Sequence, residues 1–299
     1  MYDHDVRWSQ NNGQPYCPHC GSIKVYTARR KNGALRYRCQ GCRKDFSITF
    51  GTIFAWHKMP LRIYLLAIVI VCNEVKGKSM LALRRDLRVQ YKMAFVLAHK
   101  IREVTATEVA QIKVGGPDKV VQIDGVYVWR YIRPKYIRTE RVDRRLAENR
   151  SGKEVVVVAI RERGGRTVSR VFKSEADAIP FIRSHVADGS IVHADESPAW
   201  NILHACYRMK RINHTEAYSL DGACTNDVES LFSRFRRGEY GHHHRVAGPY
   251  VHRFMQEVAW KEDHRRDANG QQVDRVIELA MRAKPSVDFC GYWQRSFGK

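Results

Sequence analysis

The chain has 299 residues, room for one large or two to three smaller domains, and 44% of them are apolar, enough to bury a sizeable core. Its formal net charge of +21 points to a polyanionic partner, either nucleic acid or an anionic membrane surface. The longest apolar run, Leu65–Cys72, is shorter than the roughly 18–20 residues of a membrane span, and Met1–Gln10 is polar with charges of both signs, unlike a signal peptide. A soluble, intracellular, nucleic-acid-binding protein is expected, without membrane contact.

The N-terminal region carries Cys17-Pro18-His19-Cys20 and Cys39-Gln40-Gly41-Cys42, two CxxC pairs separated by 18 residues. In a reducing compartment such pairs hold metal rather than disulfides, and two CxxC turns supply the four thiolates of a tetrahedral zinc site. Gly21 and Gly41 sit where these turns need permissive backbone. Lys24–Arg29 and Ala34–Arg38 read as strands around an Asn32-Gly33 hairpin turn, which makes residues 1–52 a zinc ribbon with Zn2+ on Cys17, Cys20, Cys39 and Cys42. Its lysines and arginines favour DNA or RNA contact; a structural staple is the plainer alternative. Phe46–Phe54 reads as a strand and connector.

Residues 53–114 read as helical. Pro60 opens a helix over Leu61–Val75, Gly77 breaks it, Ser79 caps a second, and Tyr91–Glu103 forms a third after a short turn at Val89-Gln90. Two short helices around a tight turn are helix-turn-helix-like, with Arg84, Arg85, Arg88, Lys92, Lys100 and Arg102 expected on the surface; a plain three-helix spacer is the alternative.

Gly115-Gly116-Pro117 reads as a linker into a third region, residues 115–270, with 271–299 as a tail. Strands are expected at Val120–Trp129, Val155–Arg161, Arg166–Phe172, Ile191–Ala194 and Arg211–Ala217. Arg130–Lys153 reads as a long basic arm. Helices are expected at Glu175–Val186, kinked by Pro180, at Pro198–Cys206, and at Thr225–Gly241, where Val228, Leu231, Phe232 and Phe235 form an apolar stripe. Three strands in a meander, extended by strand–helix units, give the α/β order of a ribonuclease-H-like domain.

Acids interrupt this pattern at chemically telling places. Asp124 lies inside the apolar run VVQIDGVYV and Asp195 ends IVHA. A carboxylate within a strand is costly unless a partner or metal holds it, and ligands of open α/β sheets collect at strand ends. Glu229 can reach the same point from the last helix, and three acids there suit Mg2+ or Mn2+ in phosphoryl transfer. Asn226 lies one turn before Glu229, and Arg236, seven positions after it, can hold a phosphate. Glu196 should point away from the site, and Asp221 and Asp227 are disfavoured by position. The run His242-His243-His244 suits phosphate contact or exposure better than a metal, since consecutive side chains diverge. His193, His204 and His214 read as packing or hydrogen-bonding residues, and Tyr292-Trp293 as part of a small apolar patch.

The chain resembles the DDE transposases of bacterial insertion sequences of the ISXO2-like family, relatives of the eukaryotic Merlin elements. The resemblance is carried by the ribbon, QIDGVYV, RPKYIRTERVDRRLAENRSGK, VHADESPAW, INHTEAYS, TNDVESLFSRFRRGEYGHHH and EVAWKEDHRR, and spans nearly the whole chain. It implies a transposase that binds the terminal inverted repeats of its element and performs Mg-dependent cleavage and strand transfer with Asp124, Asp195 and Glu229, with Asn226 and Arg236 in support. It also implies double-stranded DNA ends and target DNA as partners, a homo-oligomer on DNA, and a cytoplasmic, nucleoid-associated setting. Two positions depart from the family pattern: Arg236 stands where lysine is usual, and Gly125 where an acidic residue commonly follows the first aspartate. Some members use asparagine as the third catalytic residue, which keeps Asn226 beside Glu229 as a candidate. A nuclease or resolvase that cuts without joining, or a domesticated DNA-binding repressor, are the competing functions.

Overall fold

A computed structural model describes residues 6–29, 35–56, 59–129, 135–142, 154–212, 222–243, 246 and 250–291. The Asn32-Gly33 turn, most of the basic arm, His214, Asp221, His244 and Tyr292-Trp293 lie outside the described residues. The chain divides into two compact units, residues 1–107 with 267–299, and residues 108–266. Among the described residues no helix is long and apolar enough to cross a membrane.

The first unit begins with a three-stranded antiparallel sheet, β1 (Val25–Arg29), β2 (Leu35–Cys39) and β3 (Asp45–Phe46). Three helices follow: α1 (Leu61–Asn73), α2 (Met80–Leu87) and α3 (Tyr91–Val109). Helix α1 buries Tyr64, Ala67, Ile68, Val71 and Cys72, one apolar stripe at helical spacing. Ser79 caps α2 as expected, its hydroxyl accepting from the Ala82 amide at 3.2 Å.

Helix α3 runs one and a half turns past its expected end, because buried Val104, Thr105 and Val109 continue the apolar phase. Lys100 and Arg102, expected on the surface, are buried at 8% and 2% exposure. What covers this part of α3 is the distant C-terminus: the His99 ring stacks on Phe289 at 4.9 Å, and the Ser286 hydroxyl donates to Glu103 at 2.6 Å. The segment read as a tail thus packs into the first unit.

The second unit opens with the short strand β4 (Val114–Gly115), followed by β5 (Val120–Trp129), β6 (Glu154–Glu162) and β7 (Thr167–Phe172). Next come α4 (Ile179–His185), β8 (Val186–Ala187), β9 (Ile191–Asp195), a 3-10 segment at Pro198–Ala205, and β10 (Arg208–Ile212). Pro180 lies in the first turn of α4, where no amide is needed, so it starts the helix instead of kinking it. Two long helices follow, α5 (Asn226–Gly238) and α6 (Val251–Asp263); α7 (Asn269–Arg282) belongs to the first unit.

Strands β5, β6 and β7 form an antiparallel meander; β9 and β10 add in parallel on the other side of β5, giving the order β10-β9-β5-β6-β7. Strand β6 is buried on both faces, which explains its unbroken run of β-branched residues. One face of the sheet packs Ile123, Val158, Ile160 and Val192 against Ile182, Trp200 and Leu203. The other packs Val128, Val155, Val157 and Ala159 against Val228, Leu231, Phe232 and Phe235 of α5 and Met255 of α6.

Helix α6 is locked to the sheet by charge as well. Arg161, 8% exposed, pairs with Glu262, 3% exposed, at 3.0 Å, and Glu262 also meets Arg265 at 2.7 Å and Arg234. Glu262→Ala should cost about 3–5 kcal/mol by leaving Arg161 buried without its carboxylate; a lowered urea midpoint of the full chain measures it.

Candidate active site and metal centre

The four ribbon cysteines come together as their spacing predicts. Their Sγ atoms all lie within 4.8 Å of one another. The thiols sit at the tips of two tight turns, closed by the Cys17 amide on the Ser22 carbonyl at 2.9 Å and the Cys39 amide on the Lys44 carbonyl at 3.1 Å. The amides of His19 and Cys42 point at the sulfurs of Cys17 and Cys39, at 3.4 and 3.5 Å. The Cys42 amide and the neighbouring thiols lower the pKa of the Cys39 thiol, while that of Cys20, its hydrogen-bond partner, is raised. The left-handed residue that ends each turn is Gly21 (φ +73°) in the first and Arg43 (φ +57°), not Gly41, in the second.

Beneath the thiols the packing is thin: Trp8, Tyr37 and Phe46 form the aromatic floor. The donor set fits structural zinc, which would then supply much of the folding free energy of the ribbon. Elemental analysis should find one zinc per chain, and Cys39→Ser should leave the ribbon open to proteolysis; a zinc-free preparation with all four thiols reactive would contradict the assignment.

In the second unit, β9 runs in register with β5 from Val120–Ile191 to Ile123–Ala194, and the next positions on the two strands are Asp124 and Asp195. There β9 ends while β5 continues beside β6, with Asp124 opposite Ala159. The two acids therefore sit at a notch in the sheet, at the carboxyl end of a parallel strand. The Trp200 indole holds Asp195 Oδ1 at 2.7 Å, and the Gly125 amide holds Asp124 Oδ1 at 2.7 Å.

Helix α5 enters the notch because Gln122 receives it. The buried Gln122 carbonyl accepts from the amides of Asp227 and Val228 at 2.9 and 3.3 Å, and its amide group donates to Asp227 Oδ2 at 3.0 Å. The preceding turn is fixed by His193, whose Nδ1 accepts from the Cys224 amide at 3.2 Å; burial lowers the pKa of His193, which keeps the ring neutral for this role. Asp227 thus anchors the helix to β5. Glu229, one turn in, lies within electrostatic range of Asp124 and accepts from the Thr225 hydroxyl at 2.8 Å. Asn226 is exposed at the first helical position. Arg236 donates to the Tyr127 carbonyl at 3.1 Å, which ties it to β5 three residues beyond Asp124. Glu196 is exposed.

One acid was not anticipated. Glu175, read as the first residue of a helix, reaches the notch and accepts from the Ser197 hydroxyl at 2.6 Å. Burial pushes its pKa up, and Asp195 adds to this. Asp124 shows the same physics more strongly: burial, reinforced by Asp195, Glu229 and Glu175, pushes its carboxyl up to about 7 against the pull of the Gly125 amide. No local motif marks Glu175; Gly125, whose absent side chain leaves the space, is the one sequence feature that hints at it.

Asp124, with an unfolded value of 3.8, holds its proton more tightly when folded, so ionisation disfavours the fold. Stability in buffer free of divalent cations should therefore fall as pH rises from about 4 to about 7. The advantage of Asp124→Asn over wild type should grow across that window in pH-resolved denaturation, and a constant difference would refute the shift.

The class is that of the transposases: the α/β domain and the four-thiol ribbon each match a transposase family model. The chain belongs to the ISXO2-like transposase family: the family model for the ISXO2-like transposase domain matches residues 114–263, and that for the transposase zinc-ribbon domain matches residues 4–45. No match is found among curated proteins.

Proposed function

We propose that this protein binds the terminal inverted repeats of its own insertion sequence and carries out Mg-dependent cleavage and strand transfer through a ribonuclease-H-like domain. The observation that carries the reading is the juxtaposition of Asp195, at the end of β9, with Asp124, inside the adjacent parallel strand β5, with Glu229 brought within electrostatic range by α5. The sheet order supports it: counted along the chain, the five strands lie in the order 3-2-1-4-5 with the second antiparallel to its neighbours, as in ribonuclease-H-like folds.

Asp124, Asp195 and Glu229 would hold the metal. The fit rests on the donor set: three carboxylate side chains are the hard oxygen ligands that a divalent cation of this kind takes, and burial together with the charges of Asp195 and Glu229 leaves Asp124 in want of a counter-charge. Bound Mg2+ supplies positive charge for in-line displacement at phosphorus. The chain does the rest. Trp200 and the Gly125 amide orient the two aspartates, Gln122 sets the depth of α5, and Arg236 lies where it can meet a DNA phosphate. Water serves as nucleophile for cleavage, and the liberated 3′ hydroxyl for joining. Ends are read in the first unit, where Arg84, Arg85, Arg88 and Lys92 are exposed around the α2–α3 turn. The protein works as a homo-oligomer on paired ends, on the nucleoid in the bacterial cytoplasm.

A strand-transfer assay with labelled element ends and Mg2+ tests this. Asp124→Asn, Asp195→Asn and Glu229→Gln should each lower cleavage and joining by at least about 100-fold, with end binding retained, while Glu196→Ala stays active. Loss of activity in Asn226→Ala alongside an active Glu229→Gln would move the third ligand to Asn226.

A further inference from the structure

We propose that Glu175 is a fourth metal-binding carboxylate of the notch, admitted there because residue 125 is glycine. The inference rests on the reading of Asp124, Asp195 and Glu229 as metal ligands and extends it to a residue from the opposite side of the sheet. Gly125 lies opposite Val158, whose side chain belongs to the face covered by α4, whereas Asp124 lies opposite Ala159 on the face covered by α5. Glu175 comes from the turn between β7 and α4. It therefore closes the notch from the side that Glu229 cannot reach.

The geometry is specific. A Cβ on residue 125 would stand 2.7 Å from Glu175 Oε1, 3.1 Å from Val156 Cγ2 and 3.2 Å from Glu175 Cγ, so the carboxylate, with Val156 beside it, occupies the volume that any other residue at 125 would fill. The φ of Gly125 is not in the left-handed region, so space rather than backbone conformation is what calls for glycine here. The other oxygen, Oε2, takes the Ser197 hydroxyl at 2.6 Å, and the Ser197 amide in turn donates to Asp195 Oδ1 at 3.3 Å. Ser197 thus links the two carboxylates. The backbone at 175 is fixed by a reciprocal pair, the Ser174 amide on Asp177 Oδ2 at 3.1 Å and the Asp177 amide on Ser174 Oγ at 3.4 Å. A side chain present only to hold Ser197 would have no reason to lie against the strand residue that follows Asp124, where its charge adds to those of Asp195 and Glu229.

The test uses the zinc-loaded full chain without DNA and follows Mn2+ binding by the resonance signal of the free ion. Asp124→Asn should abolish binding, and Glu175→Gln should weaken it about 10-fold. Gly125→Ala should weaken it similarly, because the new methyl group meets the flexible end of Glu175 and displaces it. The melting temperature of Glu175→Gln without Mn2+ should hold or rise, since one of several repelling carboxylates is neutralised. Wild-type Mn2+ affinity in either Glu175→Gln or Gly125→Ala, with Asp124→Asn inactive in binding, overturns the role of Glu175 and leaves the main reading standing. Wild-type affinity in Asp124→Asn overturns both.

Discussion

The second unit is built around the parallel register of β5 and β9, which forces two carboxylates side by side at the point where β9 stops. Burial first, and then the charges of Asp195, Glu229 and Glu175, push the Asp124 pKa up to about 7, so the ionised carboxylates oppose folding. The surroundings hold them there. Apolar layers cover both faces of the sheet, and donors from Trp200 and the Ser197 amide on Asp195, and from the Gly125 amide on Asp124, fix one oxygen of each acid. This juxtaposition of carboxylates is the feature on which the proposed metal site rests.

The third acid depends on a less visible constraint. Helix α5 has an apolar stripe that would pack on the sheet at more than one height. Gln122, fully buried two residues before Asp124, selects one by capping the helix amides and gripping Asp227. The same strand therefore carries the first carboxylate and the anchor that places the third. Arg236 repeats the arrangement further along, tied to the Tyr127 carbonyl.

In the first unit the ribbon relies on metal where the helices rely on an apolar core. The ribbon buries Trp8, Tyr37 and Phe46 beside its thiols, a small core that a tetrahedral ion would reinforce. The C-terminal segment docks on the second half of α3, where Phe289 stacks on His99 and Ser286 donates to Glu103; Lys100 and Arg102 of the same stretch are buried. The basic surface around the α2–α3 turn is narrower for it, limited to Arg84, Arg85, Arg88 and Lys92.

Local patterns fixed by short-range physics were legible in the sequence. The CxxC pairs, the apolar run of β5 and β6, the stripe of α5 and the Ser79 cap each follow from spacings of a few residues, and the family resemblance from motifs that hold together along the chain. Asp124 and Asp195 were legible because a charge inside or at the end of an apolar strand is anomalous on its own. Tertiary structure alone decided what depends on contacts distant in sequence. His99 and Glu103 of α3 meet partners more than 180 positions later, and Gln122 gains its meaning only when α5 lands on it. Glu175 belongs with Asp195 only because β7, α4 and β9 fold around one notch. A half-buried carboxylate has no periodicity to betray it; its environment is made by other segments, and only the assembled sheet supplies them.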